Sequence, residues 1–184
     1  MPTPSITVFG GSSPKPGSEA YQQAYRLGKL LADAGFTAQT GGYIGTMEAV
    51  SRGAAESGGH VIGVTCDEIE QWRPIGPNPW VKQELRRPTL RQRLFTLIDT
   101  CDAALALPGG IGTLAEIALM WAELQIQAAA PRPLILIGEG WEGTFRELFT
   151  RQEGYIAEQD RQIIQFAPDV DTAVQQLIVF FKDQ

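Results

Sequence analysis

Three times along this chain a short apolar run stops at a cluster of glycines and a helical pattern begins. Ile6-Thr7-Val8-Phe9 leads into Gly10-Gly11-Ser12-Ser13, Phe36 to Thr40 into Gly41-Gly42-Tyr43-Ile44-Gly45, and Ala103 to Leu107 into Pro108-Gly109-Gly110-Ile111-Gly112-Thr113. Short apolar runs bounded by turn signals read as buried strands. Strands separated by helix-length segments pair in parallel, through right-handed crossovers. This alternation leaves few architectures open.

The remaining segments fit the same scheme. Ser18 is an N-cap for a helix running to about Ala34, with Ala20, Ala24, Leu27, Leu30 and Leu31 on one face and Gly35 ending it. A second helix starts near Thr46 and ends at Gly58-Gly59. His60 to Thr65 is a third strand. Asp67 to Pro88 carries prolines at 74, 77, 79 and 88, too many for a helix interior, and reads as an irregular flap or partner-facing loop. A helix follows from about Thr89 to Cys101, and another runs from the Pro108 loop to about Gln127. Leu134 to Ile137 is a strand, with a helix from about Trp141 after it. Ile163 to Phe166 is an edge strand, and Val170 to Phe180 a closing helix. The chain has 184 residues, which suits one domain, 1–184. The expected fold class is α/β: a three-layer, Rossmann-like, doubly wound and mostly parallel sheet with helices on both faces.

In such sheets ligands bind at the carboxyl ends of the strands, where the free N–H groups of a helix N-terminus favour an anion. The three glycine turns are therefore candidate phosphate loops. Pro108-Gly109-Gly110-Ile111-Gly112-Thr113 is the most specific, with three glycines in four positions and a hydroxyl at a helix start. Gly11 and Ser12 of the first turn, and Gly42, Gly45 and Thr46 of the second, are expected to join Pro108, Gly109, Gly110, Gly112 and Thr113 around a nucleotide. None of the turns ends in Gly-Lys-Ser/Thr, and the dinucleotide fingerprint is absent after the first strand, which disfavours ATPase and dinucleotide readings.

Glu116 lies three residues beyond Thr113. As a capping-box residue it reaches back to Thr113. As a functional carboxylate it faces the ligand, where it orients water or stabilises positive charge on a ribose ring. Arg93 belongs to a basic group with Arg86, Arg87 and Arg91, on a helix leading to the Pro108 strand. A solvated face is one reading; bidentate contact with phosphate or ribose oxygens is the other.

Net charge is −6, which argues against a nucleic-acid polymer as partner. No stretch reaches the length of a membrane helix, and Met1 to Ser5 lack a leader's basic and apolar regions, so a cytoplasmic location is expected. Cys66 and Cys101 have no metal spacing and read as buried reduced thiols; no metal and no cofactor are expected. His60, the one histidine, and the lysines Lys15, Lys29, Lys82 and Lys182 fall at strand, loop, helix-surface or terminal positions.

The stretch Leu90-Arg91-Gln92-Arg93-Leu94, followed by Asp102-Ala103-Ala104-Leu105-Ala106-Leu107-Pro108-Gly109-Gly110-Ile111-Gly112-Thr113-Leu114-Ala115-Glu116, resembles the LOG ("lonely guy") family of cytokinin-activating phosphoribohydrolases, long labelled lysine decarboxylase-like. That family's pattern is Met-His-x-Arg-Lys, then Asp-Ala-x-x-Ala-Leu-Pro-Gly-Gly-x-Gly-Thr-x-x-Glu. The turns at Gly10 and Gly41 are similar to its other glycine elements. The resemblance implies cleavage of the N-glycosidic bond of a nucleoside 5′-monophosphate, AMP or an N6-modified AMP, with Arg93 and Glu116 catalytic, and a homodimer or higher homo-oligomer. Leu90-Arg91 stand where the family has Met-His, Leu94 where it has lysine, and Tyr43 where it has a third glycine. Related proteins of this superfamily include non-catalytic carriers of nucleotide-like ligands such as the molybdenum cofactor, which is the alternative reading.

Overall fold

A computed structural model describes residues 3–183; Met1 and Pro2, which begin the segment read for a leader, and Gln184 lie outside the described residues. The strands are β1 (Ser5–Phe9), β2 (Thr37–Thr40), β3 (Val61–Cys66), β4 (Gln83–Arg87), β5 (Ala103–Ala106), β6 (Leu134–Ile137) and β7 (Ile164–Ala167). The helices are α1 (Glu19–Asp33), α2 (Thr46–Glu56), α3 (Asp67–Trp72), α4 (Leu90–Asp99), α5 (Ile111–Gln125), α6 (Glu139–Arg151), α7 (Glu158–Arg161) and α8 (Val170–Lys182). The seven strands form one sheet in the order β4-β3-β2-β1-β5-β6-β7, parallel at every junction.

Alternation along the strands divides the core into two layers. Ala103 and Leu105 of β5 face one side with Ile6, Val8, Ile135 and Ile137, and are covered by Leu27 and Leu31 of α1, Val50 of α2 and Leu177 of α8. Ala104 and Ala106 face the other with Phe9, Leu134 and Leu136, and are covered by Leu97 of α4, Ile117 and Met120 of α5, and Trp141 and Phe145 of α6. Helices on both faces make this the expected three-layer α/β architecture. Because β2 and β5 flank β1, the chain runs outward in both directions from the β1–β5 junction, and the loops at their carboxyl ends part there to leave a crevice. No described helix is long and apolar enough to cross a membrane.

The segment Asp67 to Pro88 departs from the irregular loop expected of it. It contains α3, which stops at Trp72 before the first proline, and β4. Gln83-Glu84-Leu85-Arg86-Arg87 is polar because it is an edge strand, bonded only to β3, so the hydrophobic signal of a buried strand never arises. Asn78 pins the connection: its backbone N–H and its side-chain amide both donate to Gly42 O, at 2.8 and 3.0 Å.

Candidate functional site

The loops after β1, β2 and β5 are bonded to one another. Gly11 N–H donates to Pro108 O at 3.2 Å, and Thr46 donates from both its N–H (3.0 Å) and its hydroxyl (2.8 Å) to Gly11 O. Gly45 has φ of 75°, and a Cβ there would fall 2.5 Å from Ser12 C, so glycine is required for the first two loops to touch. The α5 N-terminus is different. Gly110 caps it without a side-chain bond, and Cβ atoms at Gly110 and Gly112 would meet nothing within 4 Å. Packing does not demand glycine there. Its effect is to leave the N–H groups of the first helical turn bare toward open space, which suits an approaching anion.

That backbone borders a cleft of about 390 Å³, floored by Gly10 to Ser13 and walled by side chains of α3, α4 and α5. Arg93 and Glu116 line it, yet they are only 5% and 7% exposed. They and Asp160 are the buried charged residues among those described. Arg93 Nε donates to Val64 O at 2.8 Å and Nη2 to Gly41 O at 3.1 Å, tying the ends of β3 and β2 together. Its Nη1 is 3.6 Å from Glu116 Oε1. A Cβ on Gly41 would stand 1.8 Å from Arg93 Nη2, so that glycine makes room for the guanidinium. Burial pushes Glu116 up to about 7, with Arg93 opposing the shift. A larger hollow, of about 1040 Å³, runs along α1 and α8, but no buried charged side chain lines it.

A family model described as "Possible lysine decarboxylase" matches residues 47–177. The rice cytokinin riboside 5′-monophosphate phosphoribohydrolase LOG is 35% identical over 170 residues, covering 89% of this chain and 68% of the rice protein. The chain belongs to the LOG family. A cytokinin riboside 5′-monophosphate phosphoribohydrolase from Rhodococcoides fascians is 28% identical over 182 residues, covering 94% and 89% of the two chains. In three dimensions, the molybdenum cofactor carrier protein from Chlamydomonas reinhardtii superposes with a TM-score of 0.71 at 25% identity, over 96% of both chains. The molybdenum cofactor binding protein from Rippkaea orientalis reaches 0.77 at 24%, covering 98% and 99%, which speaks to the fold.

Within this LOG-family frame the structure sorts the residues singled out by sequence. Gly11, Ser12, Gly110, Gly112, Thr113, Arg93 and Glu116 all line the cleft. Gly42, Gly45 and Thr46 are buried outside its lining, and the Thr46 hydroxyl is occupied by Gly11 O. Gly45 and Thr46 bear on the first loop, while Gly42 O accepts from Asn78. Pro108 and Gly109 are exposed but also outside the lining. Gly110, not Thr113, caps α5, so the capping-box reading of Glu116 fails: it is the sixth residue of the helix, turned inward toward Arg93. Of the basic group, exposed Arg86 pairs with Asp67 and Glu70, and Arg93 alone is buried.

Tyr43 fills the place of the family's third glycine. It is 1% exposed, accepts from Cys66 N–H at 2.8 Å and donates toward Cys66 O, and its ring centroid lies 5.7 Å from Arg93 Cζ. Burial drives its phenol up to about 12. Met47, at the end of the second glycine element, also lines the cleft, as do Ile69 and Arg73, which carry no sequence motif that singles them out. Among the described residues no lysine lines it; Lys29 pairs with Asp33 and Lys82 donates to Gly59 O, both at exposed positions. The lysine Schiff base that pyridoxal-dependent decarboxylation uses has no candidate here.

Glu116 makes stability pH-dependent. Its folded pKa lies above its unfolded one, so folding retains a proton that the unfolded chain releases. The resulting stabilisation is complete below the ordinary carboxylate range and is lost as pH rises to about 7. Glu116→Gln cannot ionise. Its melting temperature relative to wild type is therefore expected to climb between pH 5 and pH 8 and then level, a trend read by circular dichroism across buffers.

Proposed function

We propose that the chain hydrolyses the N-glycosidic bond of a nucleoside 5′-monophosphate, such as AMP or an N6-modified AMP, to the free base and ribose 5-phosphate. The observation that carries this is a buried arginine–carboxylate pair lining the same cleft as a bare helix N-terminus. The relatives' names support it. A site that only held phosphate would gain nothing from a carboxylate so close to the anion.

In this reading the phosphate rests on the N–H groups of Ile111, Gly112 and Thr113, with Gly11 and Ser12 beside it. The C1′–N bond breaks and its electron pair leaves with the base, which takes up a proton. Water adds its oxygen to C1′ and gives a proton to Glu116, whose carboxylate also offsets the positive charge developing on the ribose ring. A carboxyl poised near pH 7 suits both the acceptance and the return of that proton. Arg93 is a positioning residue: two of its nitrogens are bonded to main-chain carbonyls, and the third holds Glu116 in place. Incubating the protein with a panel of nucleoside 5′-monophosphates, followed by chromatography for free base, tests the reading. No base from any member would sink it.

A second reading, a carrier of a pterin-type cofactor, draws on the likeness to the Chlamydomonas carrier. It predicts retention without turnover. Native mass spectrometry of the purified protein separates the two, since a co-purifying pterin mass supports the carrier and a nucleotide or ribose phosphate mass the hydrolase. Exposed Trp72, Leu90 and Ile111 line the cleft and agree with a homo-oligomer, which sedimentation would measure.

Gly112 offers a clean separation of folding from function. A Cβ there meets only open space, and alanine outranks glycine in a helix by up to ~1 kcal/mol. Gly112→Ala is therefore expected to match or exceed wild type in melting temperature. The methyl group displaces the phosphate, and a misplacement near 1 Å is worth on the order of a hundredfold in kcat/KM.

A further inference from the structure

The chain between β3 and β4 leaves the body of the protein and returns to it on the same two residues. At the exit, Cys66 N–H donates to the Tyr43 hydroxyl at 2.8 Å. At the return, Asn78 donates from its N–H to Gly42 O at 2.8 Å, and from its side-chain amide to Gly42 O and Tyr43 O, both at 3.0 Å. Residues 67–77 are therefore a loop whose ends are both fixed on Gly42 and Tyr43. Cys66 and Asn78 are buried, but no residue from 67 to 77 is, and none belongs to either core layer. Among the described residues, the side-chain hydrogen bonds of this loop to the rest of the chain all run through carboxylates. Asp67 and Glu70 accept from Arg86, Glu70 also lies 3.3 Å from the Tyr43 hydroxyl, and Glu68 accepts from Leu90 N–H. Solvated pairs of this kind hold weakly. Pro74 and Pro77 have no N–H to give, and a Cβ at Gly76 would meet nothing within 4 Å. Anchored ends with no buried contact between them let a segment move as a unit at little cost.

This segment places Ile69, Trp72 and Arg73 in the cleft wall. Trp72 is 79% exposed although it lines the cleft. An indole left in water at a binding site gains by covering the face of a ligand. Strand order decides which part of a nucleotide it meets. The helix N-terminus that suits phosphate follows β5, whereas this segment follows β3, with β2 and β1 between. Three strand spacings, about 14 Å, separate the two sides. A 5′-monophosphate anchored at α5 therefore turns its base, the end remote from the phosphate, toward Trp72.

We propose that Trp72 stacks on the base of the bound nucleotide, carried there by residues 67–77 closing over the cleft as a lid. This rests on the nucleotide reading above and adds the group that holds the base. Every base has a π-face, so the stack accepts AMP and N6-modified AMP alike. Closure covers the base while the glycosidic bond breaks, and reopening lets the free base leave.

Hydrogen–deuterium exchange tests this in protein carrying Glu116→Gln, which keeps the ligand intact, with AMP or ribose 5-phosphate as the probe. With saturating AMP, the amides of residues 67–77 are expected to exchange about tenfold or more slowly, the factor by which base stacking favours the closed lid. Those of α1 should not change, and ribose 5-phosphate, which has no base, should leave the lid as it is. By calorimetry, adding Trp72→Ala should weaken AMP about tenfold or more, and adding Trp72→Phe much less, with ribose 5-phosphate affected by neither. Unchanged exchange with AMP bound, equal slowing by ribose 5-phosphate, or full affinity for AMP in Trp72→Ala would overturn the assignment. Protection of residues 67–77 before any ligand is added would overturn it too, by placing Trp72 in a contact between copies, as would failure of AMP to bind. Base release, measured with Glu116 intact, separates the two proposals. Closure on AMP without release keeps the lid and removes hydrolysis; release without closure does the reverse.

Discussion

Glu116→Gln is expected to lower kcat for base release by about a thousandfold, within the range that removing a positioned acid–base group costs, while nucleotide affinity shifts only a few-fold. Glutamine keeps the shape of the side chain and its place beside Arg93 but neither accepts the proton of the attacking water nor carries charge to offset the ribose cation. In the proposed reading the phosphate rests on backbone, at Ile111 to Thr113, which the substitution does not touch. Loss of kcat with binding intact therefore marks an interaction made only in the transition state. The pH profile should follow suit. For wild type, kcat/KM is expected to fall as pH drops below about 7, the value to which burial raises Glu116.

Arg93→Ala has the largest expected effect on stability. Its removal leaves Val64 O and Gly41 O without their partner and opens a cavity behind Glu116. Removing one member of a buried pair costs about 3–5 kcal/mol, or roughly 10 °C in melting temperature for a chain of this size. Activity should fall with it, because Glu116 loses both its anchor and the charge that keeps its pKa from rising further. Arg93→Lys separates the two effects: the charge stays near Glu116, but one ammonium cannot span both carbonyls and the carboxylate. Its melting temperature should lie between those of wild type and Arg93→Ala. Thermal denaturation by circular dichroism, with kcat on the same preparations, measures both. Unchanged melting in Arg93→Ala would contradict the bracing role.

Buried strands were legible in the sequence because burial on both faces leaves continuous apolar runs, as in Ala103 to Leu107 and Leu134 to Ile137. β4 was not, because at the sheet edge its polar side chains meet solvent. The Pro108 to Thr113 loop announced itself by more glycine than a turn requires, and at Gly110 and Gly112 a Cβ would meet only open space. By contrast Gly45 and Gly41 serve close internal contacts, with Ser12 and with Arg93. Thr46 resembles a ligand-binding hydroxyl in sequence, and only the fold reveals that it donates to Gly11 O. Arg93 looks like its solvated neighbours Arg86, Arg87 and Arg91 until α4 is docked on β3. Arg73 lay hidden in a proline-rich stretch without periodicity, where nothing but the return of the chain to Asn78 and Gly42 carries it to the cleft.

In the proposed function, one cleft both holds a 5′-phosphate on the α5 N-terminus and breaks the glycosidic bond beside Glu116. The most direct test compares base release from AMP and GMP with release from adenosine and guanosine under the same conditions. Base and ribose 5-phosphate are expected in equal amounts from at least one monophosphate, with release from its nucleoside slower by about a thousandfold or more, because anchoring by the remote phosphate is what positions the reacting bond. Equal rates with and without the phosphate, or no base from either monophosphate, would contradict it.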